Sequence, residues 1–128
     1  MTPKLEISQI DFEADGCYGT CPIFAMTISN DGMAKYDAKM FNERQGEFKT
    51  TIKKPQLVRL LNLIAKSDFF SLNSEYSVDY TDQPTYKLTI KLTNGKIKTI
   101  EDYGPNGPEK LKLVYKKIFS LRQSQDWK

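Results

Sequence analysis

The sequence predicts an α+β fold: an antiparallel sheet of about five to six strands with two amphipathic helices packed on one face. Three observations predict it. Several segments alternate apolar and polar residues with the period of two that marks a half-buried strand. Two longer segments place apolar residues at i, i+3, i+4 and i+7, which gives a helix one buried stripe. Glycine turn signals at 30–32 and 94–95 join neighbouring strands into hairpins. An alternating antiparallel sheet must cover its apolar face, and two singly striped helices supply the cover.

The first strand is expected at Leu5–Ala14. Leu5 and Ile7 share one parity and Ile10 and Phe12 the other, so a bulge is expected near Ser8–Gln9. Residues 22–41 read as a hairpin with the three-residue loop Asn30-Asp31-Gly32, its glycine in the left-handed position. That loop sets Phe24 opposite Ala38, Met26 opposite Tyr36 and Ile28 opposite Ala34 on one face. A two-residue loop would set Met26 against Asp37 and mix the faces. Residues 46–53 form a further short strand. Leu57, Leu60, Leu61 and Ile64 then mark the first helix, with Pro55 suited to its first turn. The polar segment 74–84 is expected to be a loop. Residues 84–104 form the second hairpin, for which Asn94-Gly95 predicts a two-residue turn. Its register pairs Tyr86 with Tyr103, Ile90 with Thr99 and Leu92 with Ile97, leaving Lys87 with Asp102 and Thr89 with Ile100 on the other face. Leu111, Val114, Tyr115, Ile118 and Leu121 mark the second helix, opened by Gly107 and Pro108. The runs beginning at Pro22 and Pro84 each lead to a glycine turn, a returning strand and a helix. Residues 22–72 and 84–121 therefore read as half-repeats of a duplicated hairpin-plus-helix unit within a single domain, 1–128.

The composition excludes several chemistries. There is no histidine among the 128 residues. That removes the commonest general acid–base near neutral pH, the serine–histidine and cysteine–histidine nucleophile pairs, and every zinc site built on imidazole. No apolar run approaches the ~20 residues of a membrane span. No charged-then-apolar leader is visible at the N-terminus, so the chain is expected in the cytoplasm if full length, or in the cell envelope if a leader has been removed. The net charge of +3 is uneven: residues 1–82 are acidic and residues 83–128 basic. A basic half suits acidic partners, but without an arginine cluster nucleic acid is not the expected partner.

Both cysteines lie in "DGCYGTCPIF", Asp15–Phe24. A Cys17–Cys21 disulfide would close a loop of about five residues, for which chain entropy gives roughly 2 kcal/mol. The turn around Gly19 permits that closure. A redox couple normally uses C-x-x-C at a helix N-terminus, whereas this pair has one more residue between the sulfurs and a strand after it. Two thiolates without histidine or a third cysteine cannot close a zinc site within the chain, so no metal and no cofactor are expected. The reading favoured is a structural turn, with or without a disulfide; a thiol redox pair is the alternative. The acidic stretch "SEYSVDYTDQP" gathers Glu75, Tyr76, Asp79, Tyr80 and Asp82, but lacks the ligand spacing of a calcium loop. The stretch "EDYGPNGPEK" resembles an anion cradle before a helix, yet Pro105 and Pro108 remove two backbone donors.

Three motifs carry a family resemblance: Cys17-Tyr18-Gly19-Thr20-Cys21-Pro22-Ile23-Phe24, Thr81-Asp82-Gln83-Pro84-Thr85 and Asp102-Tyr103-Gly104. Together they resemble a bacterial domain-of-unknown-function family, number 6438, over most of the chain. The resemblance implies a fold rather than an activity. The expected function is a non-enzymatic binding or interaction module with a protein partner. It would use the sheet face or the loops bearing Gly19, Asp82, Asp102, Tyr103 and Gly104. The alternative is a thiol–disulfide redox or sensor domain using Cys17 and Cys21.

Overall fold

A computed structural model describes residues 6–17, 19–79 and 81–128. Leu5 of the expected first strand, Tyr18 of the cysteine turn and Tyr80 of the acidic stretch lie outside the described residues. Along the chain come β1 (Ile7–Ala14), β2 (Ile23–Ser29), β3 (Met33–Met40), β4 (Gly46–Thr51), α1 (Lys54–Lys66), β5 (Glu75–Ser77), β6 (Thr85–Leu92), β7 (Ile97–Tyr103) and α2 (Glu109–Ser124). The strands form one sheet in the order β4-β3-β2-β1-β6-β7-β5. Its inner face and both helices contribute to one hydrophobic core.

The first strand and hairpin follow from their own patterning. β1 carries a register shift between Ile7 and Gln9, where the apolar parity changes. In the β2–β3 hairpin Phe24 faces Ala38, Met26 faces Tyr36 and Ile28 faces Ala34, and all six are buried. Gly32 adopts φ 93°, and Asp31 Oδ1 accepts the Met33 N–H at 3.0 Å, which locks the turn. In α1 the stripe buries Leu57, Leu60 and Ile64, with Leu61 half-buried. In α2 all five expected stripe residues are buried.

The second hairpin differs from the expected register by one residue. Tyr86 faces Asp102, Leu88 faces Ile100, Thr89 faces Thr99 and Ile90 faces Lys98. Its turn matches the first hairpin: Gly95 at φ 93°, and Asn94 Oδ1 accepting the Lys96 N–H at 2.9 Å. This turn sets Leu88 against Ile100, both fully buried, where a two-residue turn would set Thr89 against Ile100. The inward set on β7 is Lys98, Ile100 and Asp102, while Ile97 is 58% exposed. Lys98 is tolerated there because its ammonium donates to the carbonyls of Phe70 and Leu72.

The sheet has seven strands and is mixed, not five to six antiparallel strands. The additional strand is β5, which pairs parallel with β7. Three mainly polar residues are too few to show alternation. They become a strand because Tyr76 packs against the core and β7 offers a free edge. The C-terminus also joins the core. Trp127 is buried, its indole N–H donates to Leu121 O at 2.9 Å, and the Lys128 N–H donates to Lys49 O on the β4 edge. That contact partly covers an otherwise open strand edge.

Candidate functional site

The three sequence motifs meet at one end of the sheet. β1 ends there at Ala14, β2 starts at Ile23, β6 starts at Thr85 and β7 ends at Tyr103. The register sets Ala14 against both Phe24 and Tyr86, and Thr85 against Tyr103. Asp15 N–H donates to Thr85 O at 2.9 Å, so the cysteine loop is tied to the start of β6.

Cys17 and Cys21 are joined by a disulfide with their Cα atoms 5.6 Å apart. Both are only half-buried, so the bond closes a surface loop and not a core contact. Gly19 is exposed at its tip. A Cβ built there would meet only Cys17 Sγ, at 3.9 Å.

Because β7 lies between β5 and β6, the connection 78–84 must pass over the end of β7. That crossing explains Gly104. It adopts φ 67°, donates its N–H to Pro84 O at 2.8 Å, and has no room for a side chain. A Cβ there would lie 2.5 Å from Val78 Cγ2 and 3.1 Å from Gln83 Cβ. Tyr103 is half-buried beneath the same connection, where its hydroxyl accepts the Gln83 N–H at 3.4 Å. Asp82 turns the connection at φ 64° and is exposed; the Thr81 hydroxyl is 3.5 Å from its Oδ2.

Asp102 lies on the other side of this corner and is 0% exposed. Its Oδ1 accepts the Asn106 N–H at 2.7 Å. Its Oδ2 accepts the Gly107 N–H and the Tyr115 hydroxyl, each at 3.1 Å. The loop 103–108 therefore does cradle an anion, and the anion is this chain's own carboxylate. Gly107 lets the backbone approach so closely, since a Cβ there would stand 3.1 Å from Oδ2 and 2.8 Å from Leu111 Cδ2. Burial, then the charge of Asp102 and the hydrogen bond to it, hold the Tyr115 hydroxyl well above the ordinary tyrosine pKa. Tyr86, whose ring meets that of Tyr115 edge-on at 5.1 Å, is also raised, mainly by burial.

A family model described as a domain of unknown function, DUF6438, matches residues 8–122. The chain belongs to the DUF6438 family. The match in this DUF6438 domain runs from the second residue of β1 into the last turn of α2 and so contains the sheet but for Ile7, with the motif corner. It stops short of the tail that carries Trp127. Comparison with curated proteins returns no match.

The DUF6438 domain thus brings the Cys17–Cys21 loop, Asp82, Tyr103 and Gly104 to one end of its sheet. Asp102 reaches the same end but points into the core. The acidic stretch is drawn out along β5 and the crossing connection. Among the described residues no three carboxylate or cysteine side chains are placed to hold a metal ion. Nor is any helix among the described residues long and apolar enough to cross a membrane. Sequence reasoning missed Gly107, Tyr115 and Asn106 as partners of Asp102. The available signal was the spacing: a buried acid followed four and five residues later by Asn-Gly before a helix.

Proposed function

We propose that the domain is a non-enzymatic binding module that meets a protein partner on the open face of its sheet. The observation that carries this reading is the shape of that face. Ala25, Thr27, Thr89 and Thr99 form a low floor beside the taller Asp11, Glu13 and Lys87, leaving a trough of about 440 Å³. Through Ala25 and Thr27 it continues into a second depression of about 400 Å³ beside Lys35, Asp37 and Lys49.

The charge pattern supports the same reading. Asp37 stands directly opposite Glu47, Lys35 opposite Lys49, and Glu75 opposite Glu101. Like charges set opposite each other destabilise a free sheet, and a partner of complementary charge relieves them. The half-exposed disulfide supports an oxidising compartment such as the cell envelope, because such bonds persist there and are reduced in the cytosol. Residues 1–128 are read as one domain. The matching turns at Asp31-Gly32 and Asn94-Gly95 support the duplicated-hairpin reading.

The test fills the trough. Thr27→Arg and Thr89→Arg should each keep the thermal midpoint of the parent and abolish cross-linking to the partner that the parent captures. Capture unaffected by both substitutions would remove the sheet face from the proposal. The redox alternative is tested by titrating the Cys17–Cys21 disulfide against glutathione buffers. A midpoint near the cytosolic poise, together with turnover of a thiol substrate, would replace the binding reading.

A further inference from the structure

The two layers differ sharply in charge. α1 and α2 carry eight of the chain's 19 Lys and Arg residues but only one of its 16 Asp and Glu residues, Glu109. The helix dipoles account for Lys66 and Arg122 in the last turns and Glu109 in a first turn, but not for the cations at the helix starts. Lys54 opens α1, which has no acid in its first turn, and Lys110 lies in the first turn of α2. The positive ends of the helix dipoles favour carboxylates at those positions. Among the described residues the only oppositely charged pair within 4 Å is Lys91–Asp11, on the sheet, at 3.8 Å. Where the helices meet, the Lys117 ammonium donates to the neutral Gln56 Oε1. Burial, then the charge of Arg59, lowers its pKa.

Three of these cations border a shallow, open groove of about 600 Å³ between side chains on the outer face of α1, formed by that helix alone, with Lys54, Arg59 and Lys66 around Pro55, Val58 and Leu63. Val58 is 46% exposed, and Leu113 on α2 is 43% exposed. The 13 residues of α1 span ~20 Å at 1.5 Å each, the reach of about six residues of extended chain.

We propose that this groove docks an acidic segment of a partner protein, with carboxylates on Lys54, Arg59 and Lys66 and apolar side chains on Val58 and Leu63. The site lies on the helix layer, away from the open sheet face, and stands or falls independently of that reading. Its mixture of cations and apolar side chains selects the occupant. A bilayer is met best by apolar side chains standing proud of the cations, and here they lie among them. A nucleic-acid backbone supplies phosphate but nothing apolar for Val58 and Leu63.

The experiment measures fluorescence anisotropy of a labelled eight-residue peptide of alternating Glu and Leu, titrated with the parent domain. The comparison variants are Lys54→Glu/Arg59→Glu/Lys66→Glu and the milder set Lys54→Gln/Arg59→Gln/Lys66→Gln. All three positions are exposed, so both sets should keep the parent's thermal midpoint. The expected result is saturable binding that weakens as sodium chloride rises from about 50 to about 300 mM. It should weaken ~tenfold in the Gln set, vanish in the Glu set, and be unchanged by Lys87→Glu on the sheet. No binding of the peptide, or equal binding by all variants, would overturn the proposal. So would tighter binding, through the same lysines, of a single-stranded 20-mer DNA or of phosphatidylglycerol vesicles. Concentration-dependent self-association abolished by the Glu set would assign the groove to a second copy instead.

Discussion

Replacing Asp102 with asparagine tests how the motif corner is held together. The carboxylate is buried and accepts three hydrogen bonds, two from the backbone of the 103–108 loop and one from Tyr115. Asparagine has nearly the same shape but only one acceptor oxygen. If that oxygen takes the Oδ2 position, the bonds from Gly107 and Tyr115 survive as neutral ones. The amide NH₂ then faces the Asn106 N–H, donor against donor. Loss of one hydrogen bond to a charged group amounts to about 1.5–3 kcal/mol, and the weakening of the other two adds to it. The expected loss is therefore about 3 kcal/mol, a fall of roughly 10 °C in thermal midpoint for a chain of this size. Urea unfolding followed by the fluorescence of the one tryptophan measures it, since Trp127 is buried in the folded state. A cycle with Tyr115→Phe isolates the Asp102–Tyr115 pair, which should couple by about 1 kcal/mol. A D102N variant within about 0.5 kcal/mol of the parent would refute the view that this carboxylate organises the corner.

Alkaline pH should weaken the fold through Tyr115. Its folded-state pKa is raised, so the unfolded chain loses this proton near pH 10 while the folded chain keeps it. The contribution is intact below about pH 10 and declines above it by up to about 1.4 kcal/mol per pH unit; Tyr115→Phe should remove that part of the slope in urea titrations at stepped pH. Gly104→Ala places a methyl against Val78 and Gln83 at φ 67°, and should lower stability by about 2–3 kcal/mol in the same assay. An effect no larger than that of Gly95→Ala, which carries the strain of φ 93° but whose Cβ would meet nothing within 4 Å, would show that the crossing is not tight. Cys17→Ser/Cys21→Ser opens a surface loop of about five residues and should lower stability by about 2 kcal/mol, with reductant producing the same loss in the parent and none in the variant.

Much of this architecture is written locally. The five-residue stripe of α2, the stripe of α1, the β1 bulge and the register of the first hairpin follow from side-chain periodicity and from one rule: residues on a face must agree in polarity. The same rule does not settle the second hairpin, whose observed register sets Ile90 against Lys98 and Tyr86 against Asp102. There Lys98 and Asp102 point inward and Ile97 outward, against their polarity. Neighbours distant in sequence make that arrangement stable: the carbonyls of Phe70 and Leu72 for Lys98, and Asn106, Gly107 and Tyr115 for Asp102. β5 depends likewise on a free edge of β7, and Trp127 on a core built by elements that precede it. The motifs marked where the chain is special, and tertiary structure assigned their roles. Gly104 clears the crossing connection, Asp102 holds the loop before α2, and the cysteines close a surface loop. By itself the sequence determined the fold class, the helices and the first hairpin, because periodicity is a property of neighbouring residues. Only the tertiary structure decided which charges lie inside, since a buried charge is stable only when remote groups satisfy its hydrogen bonds.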